Sequence, residues 1–361
     1  TSIIASSSKS GAAFPGTGMP SSSAKVTRAQ ARFIASCCTR CARCVNRVAS
    51  PSSKIGHTGV EALSKINLLF LSRAVDSGGC ASISVDLPPI TDAPTGERHH
   101  GKIVWHDLLT NTPEASRRFY GEMFGWAFEK PSTVLGFGGD DTYMLIRHEG
   151  RLIGGMLDTN AFREGENVSQ WITTASVDDI DAAVERVTAQ GGKIETPPTA
   201  VGSRGRMAVV EDSTGARFAM IESSGGDPAH SEPVYYGWLW DEVWTDDVDK
   251  ATNFYQAVLG FDYTDHDIDD SDRNYRVLSM GDQPRAGVME MPFEDVRPVW
   301  VNYIRVKNPA ALTARAQDLG GRVLVEAKER EIGGVVALVA GPSGAGIALQ
   351  TWPADSGEAD E

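Results

Sequence analysis

Hydrophobic and polar positions follow one pattern four times between residues 103 and 352. Each repeat begins with a short β-prone run such as WITTASV or WVNYIRV, and a helical pattern follows it. In the last repeat Leu312, Ala316 and Leu319 fall at helical spacing. Strand-like runs joined by turns complete each repeat. The pattern therefore predicts four βαβββ modules, at about residues 103–158, 169–223, 237–291 and 299–352.

The spacing between tryptophan and glycine supports this division. In every module 20 residues separate the leading tryptophan from the glycine that ends the helix. The pairs are Trp105 and Gly125, Trp171 and Gly191, Trp240 and Gly260, and Trp300 and Gly320. Glycine suits that place because the residue after a helix often has positive φ. The predicted helix caps are Thr112, Asp178, Asp246 or Asp247, and Asn308.

One module alone would leave one face of a four-stranded sheet uncovered, so modules must pair. We predict an α+β fold in which the four modules form two eight-stranded, cup-like domains with helices outside. The first domain is expected at residues 101–224 and the second at residues 235–352. Residues 224–234 would join them.

Residues 1–98 have a different composition. The first 65 are rich in Ser, Ala, Gly and Arg without sustained periodicity, which is typical of a disordered or targeting region, and a Pro-rich linker follows. This region contains every cysteine of the chain: Cys37, Cys38, Cys41, Cys44 and Cys80. The run CCTRCARC lacks the second ligand pair of a typical zinc site, so we expect no metal there.

The compartment stays open among three alternatives. The Arg- and Ser-rich start resembles an organellar transit peptide. Residues 65–82, KINLLFLSRAVDSGGCAS, resemble a bacterial lipoprotein signal in which Cys80 would be lipidated. The third alternative is the cytoplasm. No run reaches 18 apolar residues, so no integral membrane span is expected.

Charge is distributed unevenly along the chain. Residues 1–75 hold ten Lys and Arg against one acidic residue, whereas the remaining residues hold 24 against 47. The modules are therefore strongly acidic. This charge disfavours binding to a nucleic-acid backbone.

The phrases FYGEMFGW and FYQAVLGF, the strands that lead the modules and the closing EDSTGARFAMIE carry a family resemblance. The sequence resembles the vicinal oxygen chelate superfamily, which contains glyoxalase I, bleomycin-resistance proteins and extradiol dioxygenases. It is most similar to the two-domain, glyoxalase-like proteins often labelled hydroxylases or antigens. The resemblance covers about residues 101–352. It implies the fold strongly, but the fold hosts many functions.

Enzymes of this superfamily bind a divalent metal through His, Gln and Glu. Those ligands come from the leading and closing strands of the modules. The matching positions here hold no such side chain. They are Trp105, Trp240, Trp171 or Ile172, Trp300 or Val301, Ala219 and Ala348. His106 is adjacent to one of these positions and would reach the cup only through a bulge; otherwise it is a surface or interlayer histidine. We therefore expect no metal cofactor, with a divalent metal as the alternative.

The pattern Trp-x-acid recurs at Trp105–Asp107 and Trp240–Glu242. Alternation along a strand places each tryptophan and its acid on the same face. Trp105, Asp107, Trp240 and Glu242 are thus the candidate ligand-binding residues, and packing of the sheet is the competing interpretation. We expect an acid kept for a ligand to be poorly satisfied without one. Tyr120 and Tyr255 are expected in the core, and DHDIDDSD (265–272) as a solvated acidic loop.

The leading functional interpretation is a protein that binds a small organic molecule in its cups without a metal. One alternative is a metal-dependent lyase or oxygenase with unrecognised ligands. Another is a structural or interaction protein whose cups are filled by side chains. No catalytic residue can be named, so enzymatic activity stays open. The chain is expected to be a monomer with two internal domains or a homodimer, and the sequence does not identify the ligand.

Overall fold

The structure is a computed structural model that describes residues 86–131, 142–161, 168–267, 274–329 and 334–351. It contains two eight-stranded mixed sheets. Each sheet is built from two consecutive modules, so the predicted βαβββ units and their pairing are confirmed. The predicted regions 1–85, with all five cysteines, and 352–361 lie outside the described residues.

The first sheet comes from modules one and two. Its strands are β1 Ile103–Thr110, β2 Ala127–Glu129, β3 Tyr143–His148, β4 Arg151–Asp158, β5 Gln170–Ser176, β6 Lys193–Ala200, β7 Gly205–Glu211 and β8 Arg217–Ser223. Their order is β2-β3-β4-β1-β5-β8-β7-β6. The leading strands β1 and β5 are antiparallel neighbours at the centre, and they join the two modules.

The second sheet repeats this arrangement with modules three and four. Its strands are β9 Trp238–Thr245, β10 Asp262–Asp267, β11 Asn274–Met280, β12 Gln283–Glu290, β13 Val299–Arg305, β14 Arg322–Glu329, β15 Val335–Ala340 and β16 Gly346–Gln350. Their order is β10-β11-β12-β9-β13-β16-β15-β14. Strands β9 and β13 are the antiparallel neighbours at its centre.

One helix follows each leading strand. These are α1 Pro113–Phe124, α2 Ile180–Ala189, α3 Val248–Leu259 and α4 Pro309–Asp318. The glycines predicted to end them, Gly125, Gly191, Gly260 and Gly320, all have φ between 70° and 83°. The caps are Thr112, Asp247 and Asn308 as predicted, but α2 is capped by Asp179 and not by Asp178.

The helices pack between the two sheets, and the two halves of the chain share this core. One apolar cluster joins α2 to α3 and includes Phe218, Phe254 and Trp300. A second cluster joins module one to module four and includes Phe119 and Ile347. Buried apolar area is the main source of folding stability, so the two domains stabilise each other through this shared core.

The opposite face of each sheet carries its own apolar cluster, and we call these two helix-free faces the first cup and the second cup. Trp105, Tyr143 and Ile172 belong to the first cup. Trp240, Tyr275 and Tyr303 belong to the second. Each cup thus has an aromatic lining that is separate from the core between the sheets.

Residues 86–98, which we call the strap, pack against the first sheet and do not form a free linker. Leu87 and Ile90 are buried in the cluster of the first cup. The Leu87 amide donates to the Val201 carbonyl oxygen at 3.1 Å. The part of the predicted linker that the structure describes is therefore a component of the first domain.

The junction at residues 224–234 is anchored as well. The Asp227 side chain is fully buried and accepts hydrogen bonds from Ser176 Oγ at 2.8 Å and the His99 amide at 2.7 Å. The Asp227 amide also donates to the Glu97 carbonyl oxygen at 2.7 Å, so the junction is tied to the first sheet and to the strap. Among the described residues, no helix is both long and apolar enough to cross a membrane.

Candidate functional site

Each cup contains a carboxylate two residues after the leading tryptophan. In the first cup Trp105 Nε1 donates to Asp107 Oδ1 at 3.0 Å, so the two side chains share one face as strand alternation predicts. In the second cup, Trp240 and Glu242 occupy the equivalent places on β9. Trp240 Nε1 instead donates to Tyr275 Oη, at 3.2 Å, and this hydroxyl contacts Glu242.

In the first cup a tyrosine hydroxyl connects the acid to a buried arginine. Tyr143 Oη donates to Asp107 Oδ1 at 2.7 Å, and Arg204 Nη1 donates to Tyr143 Oη at 3.0 Å. Burial is the largest effect on Tyr143 and raises the pKa of its hydroxyl above the ordinary value. The hydroxyl therefore stays protonated at neutral pH and acts as a donor to Asp107.

In the second cup three donors surround one fully buried carboxylate. Glu242 Oε1 accepts from Tyr275 Oη at 2.9 Å. Glu242 Oε2 accepts from Tyr303 Oη at 2.6 Å and from Trp244 Nε1 at 3.0 Å. The expectation that these acids are poorly satisfied without a ligand is therefore wrong for both cups.

Tyr143 and Tyr275 were missed in the sequence, although a signal for these two tyrosines exists. Tyr143 and Gly155 are 12 residues apart, and so are Tyr275 and Gly287. A Cβ on Gly155 would lie 2.0 Å from Tyr143 Oη, and one on Gly287 would lie 2.4 Å from Tyr275 Oη. The glycine thus makes room for the hydroxyl that reaches the acid.

The four equally spaced tryptophans do not share one role. Trp105 pairs with Thr174 across β1 and β5, whereas Trp171 pairs with Leu108, so the two indoles lie on opposite faces of the sheet. Trp171 Nε1 donates to Tyr120 Oη at 3.2 Å, and in the second domain Trp300 Nε1 donates to Tyr255 Oη at 3.0 Å. Of these four tryptophans, Trp105 and Trp240 therefore line the cups, whereas Trp171 and Trp300 do not.

Tyr120 and Tyr255 lie in the core between the sheets, as predicted. Both are fully buried, and burial is the main cause that raises the pKa of each hydroxyl. Tyr255 Oη also donates to Asp212 Oδ2 of the other domain at 2.8 Å. Their hydroxyls thus connect structural elements and do not face a cup.

His106 points away from the first cup and contacts the second sheet. Its Nε2 lies 2.8 Å from Asp241 Oδ1, and its ring stacks on Trp238 with a centroid distance of 3.9 Å. Asn302 Nδ2 also donates to Asp241 Oδ1, at 2.6 Å, and to Thr173 Oγ1. His106 is thus an interlayer residue in a buried polar cluster that joins the domains.

The two cups differ in what covers the leading tryptophan. Leu87 and Ile90 of the strap lie in the same cluster as Trp105, which is 1% exposed. The equivalent Trp240 is 9% exposed, and every residue in the described cluster of the second cup comes from the second domain. Part of the first cup is therefore filled by the strap, which precedes the first module in the chain.

The model of the Glyoxalase/Bleomycin resistance protein/Dioxygenase superfamily matches residues 102–220 and 239–349. The chain belongs to this superfamily. The two matched segments coincide with the two sheets, so each sheet with its helices is one glyoxalase domain.

Two curated relatives are similar over most of their length. CFP32 of Mycobacterium bovis, which is named provisionally as a glyoxylase, is 31% identical over 249 residues, 69% of this chain and 94% of its own. DnrV of Streptomyces peucetius, named an anthracycline biosynthesis protein, is 31% identical over 275 residues, 72% of this chain and 98% of its own.

Solved structures with a similar fold include two kinds of enzyme. A Mn(II)-bound glyoxalase from Novosphingobium aromaticivorans has a TM-score of 0.49 and 15% identity, covering 70% of this chain and 82% of that chain. An extradiol ring-cleaving dioxygenase from B. fuscum has a TM-score of 0.49 and 13% identity, covering 76% and 77%.

The positions that match the superfamily's metal ligands carry side chains without donor atoms for a divalent metal. Of the alternatives on β5 and β13, Ile172 and Val301 face the cups, whereas Trp171 and Trp300 face the helices. The positions identified from the sequence therefore hold Trp105, Ile172 and Ala219 in the first cup, and Trp240, Val301 and Ala348 in the second. These residues do not fit a metal ion.

Other acidic residues do not supply a replacement in the part of the chain that the structure describes, where no group of three or more His, Cys, Asp or Glu could hold a metal. The predicted acidic loop begins inside strand β10, because Asp265 pairs with Arg276 across β10 and β11. Residues 268–273 lie outside the description.

Proposed function

We propose that the protein binds a small organic molecule in the second cup, without a metal at the superfamily's usual position. The observation that carries the proposal is the lining of that cup. Four aromatic side chains surround one buried carboxylate, and the metal-ligand positions hold Trp240, Val301 and Ala348. Such a lining, apolar with a few convergent polar groups, is typical of small-molecule sites.

The second cup is the better candidate. Among the described residues, its apolar cluster contains only residues of the second domain, whereas the strap inserts Leu87 and Ile90 into the first cup. Trp240 also keeps more solvent contact than Trp105. A ligand that enters the second cup would therefore displace less of the protein itself.

The chemistry of the second cup favours an aromatic ligand with a cationic or hydrogen-bond-donating group. Trp240 and Trp244 offer ring faces for stacking and for cation–π contact. The Glu242 carboxyl group lies among hydroxyls that can rotate, so Tyr275 or Tyr303 can accept a hydrogen bond from a ligand. The name of the relative DnrV, which refers to anthracycline biosynthesis, supports an organic small molecule as ligand.

Two other functions are alternatives that the same experiment separates. The relative CFP32 is named as a glyoxylase, which favours a metal-dependent lyase or oxygenase with ligands not recognised here. The strap in the first cup favours a structural or interaction protein with filled cups. No side chain is assigned a catalytic role.

Metal analysis and ligand titration test the proposal together. Purified protein should contain no stoichiometric metal, and Mn²⁺, Zn²⁺ or Ni²⁺ alone should leave its melting temperature unchanged. The aromatic amine tryptamine should raise the melting temperature by mass action. Its neutral analogue tryptophol should do so less.

Matched variants locate the site. Glu242→Gln should weaken tryptamine binding about tenfold, the usual effect of losing a charge-assisted interaction of about 1.5 kcal/mol. Glu290→Gln makes the same charge change at an exposed position of β12 and should leave binding unchanged. Stoichiometric metal would support the lyase or oxygenase, and binding that survives Glu242→Gln would exclude the second cup.

A further inference from the structure

Arg204 is a buried cation in the first cup that the proposed function does not use. It is 1% exposed. Its guanidinium carbon lies 4.6 Å from the ring centroid of Trp105 and 5.4 Å from that of Tyr143. The guanidinium therefore points into the cup between two aromatic rings. A buried charge is costly unless its hydrogen bonds are satisfied.

The hydrogen bonds of Arg204 are incomplete within the described residues. Nε donates to the Pro88 carbonyl oxygen at 2.9 Å, and Nη1 donates to Tyr143 Oη at 3.0 Å. Nη2 is buried and has no acceptor in the described part of the chain. Asp107 contacts this arginine only through the Tyr143 hydroxyl. The edge of the guanidinium that carries Nη2 thus still lacks an acceptor among the described residues.

The strap lies against the segment that carries this arginine. The Arg204 amide donates to the Leu87 carbonyl oxygen at 3.0 Å, and the Ser203 amide donates to Asp86 Oδ1 at 3.0 Å. Leu87 and Ile90 provide the buried apolar contacts, whereas residues 92–98 are exposed. The strap therefore occupies the cup through these two apolar side chains, while its exposed part is held by polar contacts, among them the ion pair of Asp92 with Arg147 and the hydrogen bond from the Gly96 amide to the Gly225 carbonyl oxygen at 3.0 Å.

We propose that the first cup is a second binding site, specific for a small aromatic carboxylate, and that release of the strap opens it. The ligand's carboxylate would accept a hydrogen bond from Arg204 Nη2. Its ring would take the apolar place of Leu87 and Ile90 beside Trp105. The first cup would select a negatively charged ligand, whereas the second cup would select a cationic or hydrogen-bond-donating one, so the two proposals can fail independently.

Loosening the strap tests the site directly in the full chain. Leu87→Asn together with Ile90→Asn removes both apolar anchors without adding charge to the cup. Hydrogen exchange at the amide of position 87, which donates to Val201 in the parent chain, reports whether the strap has opened. The probes are 2-naphthoate and its neutral analogue 2-naphthamide.

The expected result is that the loosened chain binds 2-naphthoate about tenfold more tightly than the parent chain, because the strap no longer competes. Arg204→Gln in that background should abolish the gain, whereas Arg206→Gln, at a more exposed arginine two residues away, should preserve it. The affinity for 2-naphthamide should not depend on Arg204.

Several results would overturn the proposal. These are a gain that survives Arg204→Gln, an equal gain for 2-naphthamide, or no gain in a chain whose position 87 exchanges freely. Persistent protection at position 87 would also refute strap release. If the loosened chain does not fold, 2-naphthoate must accelerate exchange at Leu87 in the parent chain, and the absence of that effect would count against the site.

Discussion

Replacing Glu242 with glutamine should destabilise the protein, because the carboxylate is the common acceptor of three buried donors. Two of them, Tyr303 Oη and Trp244 Nε1, donate to Oε2, and Tyr275 Oη donates to Oε1. Glutamine preserves the shape but offers one oxygen and no charge. If that oxygen replaces Oε2, the amide nitrogen faces Tyr275 Oη, which already accepts from Trp240.

The magnitude follows from these contacts. At least one charge-assisted hydrogen bond is lost and the others weaken to neutral ones, which gives a loss of about 1–3 kcal/mol in the free energy of unfolding. For domains of 150–250 residues, this corresponds to a fall of about 2–12 °C in melting temperature. Tyrosine hydroxyls can rotate to accept from the amide, which keeps the loss within this range.

Thermal unfolding of three variants tests the reasoning. Asp107→Asn should lower the melting temperature less than Glu242→Gln, because Asp107 is only half-buried and accepts from two donors, Trp105 and Tyr143. Glu290→Gln should leave it unchanged, because that side chain is exposed. An unchanged melting temperature for Glu242→Gln, or a larger fall for Asp107→Asn, would refute the assigned network.

Two further predictions concern packing and pH. Gly287→Ala should lower the melting temperature, because its Cβ would lie 2.4 Å from Tyr275 Oη. Gly346→Ala should be tolerated, because the nearest atom to its Cβ would be Leu324 Cδ1 at 3.8 Å. Equal effects of the two substitutions would contradict this account. Burial lowers the pKa of His100 below 6.5, so its contribution to stability is full above pH 6.5 and is lost as pH falls. His100→Gln should therefore flatten the dependence of melting temperature on pH between about pH 5 and 7. An unchanged dependence would show that His100 does not contribute.

Much of the fold could be read from the chain because its signals are local and repeated. The spacing from Trp105 to Gly125 recurs at Trp240 and Gly260, and each of these glycines has the positive φ that ends a helix. Repetition of one unit also predicted that modules pair, because a single module leaves a sheet face uncovered. The matched segments of the superfamily confirm both domains.

The site could be predicted only in part. Alternation along β1 and β9 placed Asp107 and Glu242 on the same faces as Trp105 and Trp240, and the structure agrees. Their tyrosine partners lie on strands far away in the chain, so no local pattern connects Tyr275 to Glu242. The tyrosine donors to each acid were therefore missed.

The sequence by itself determined the modules, their helix ends and the side chains that line each strand face, because these depend on neighbours within a few residues. Tertiary structure decided which cup is filled. Leu87 precedes the first module in the chain, yet it reaches the first cup through backbone contacts with Val201 and Arg204. Such contacts join residues more than 100 positions apart, and their energy depends on burial and geometry that no local pattern encodes.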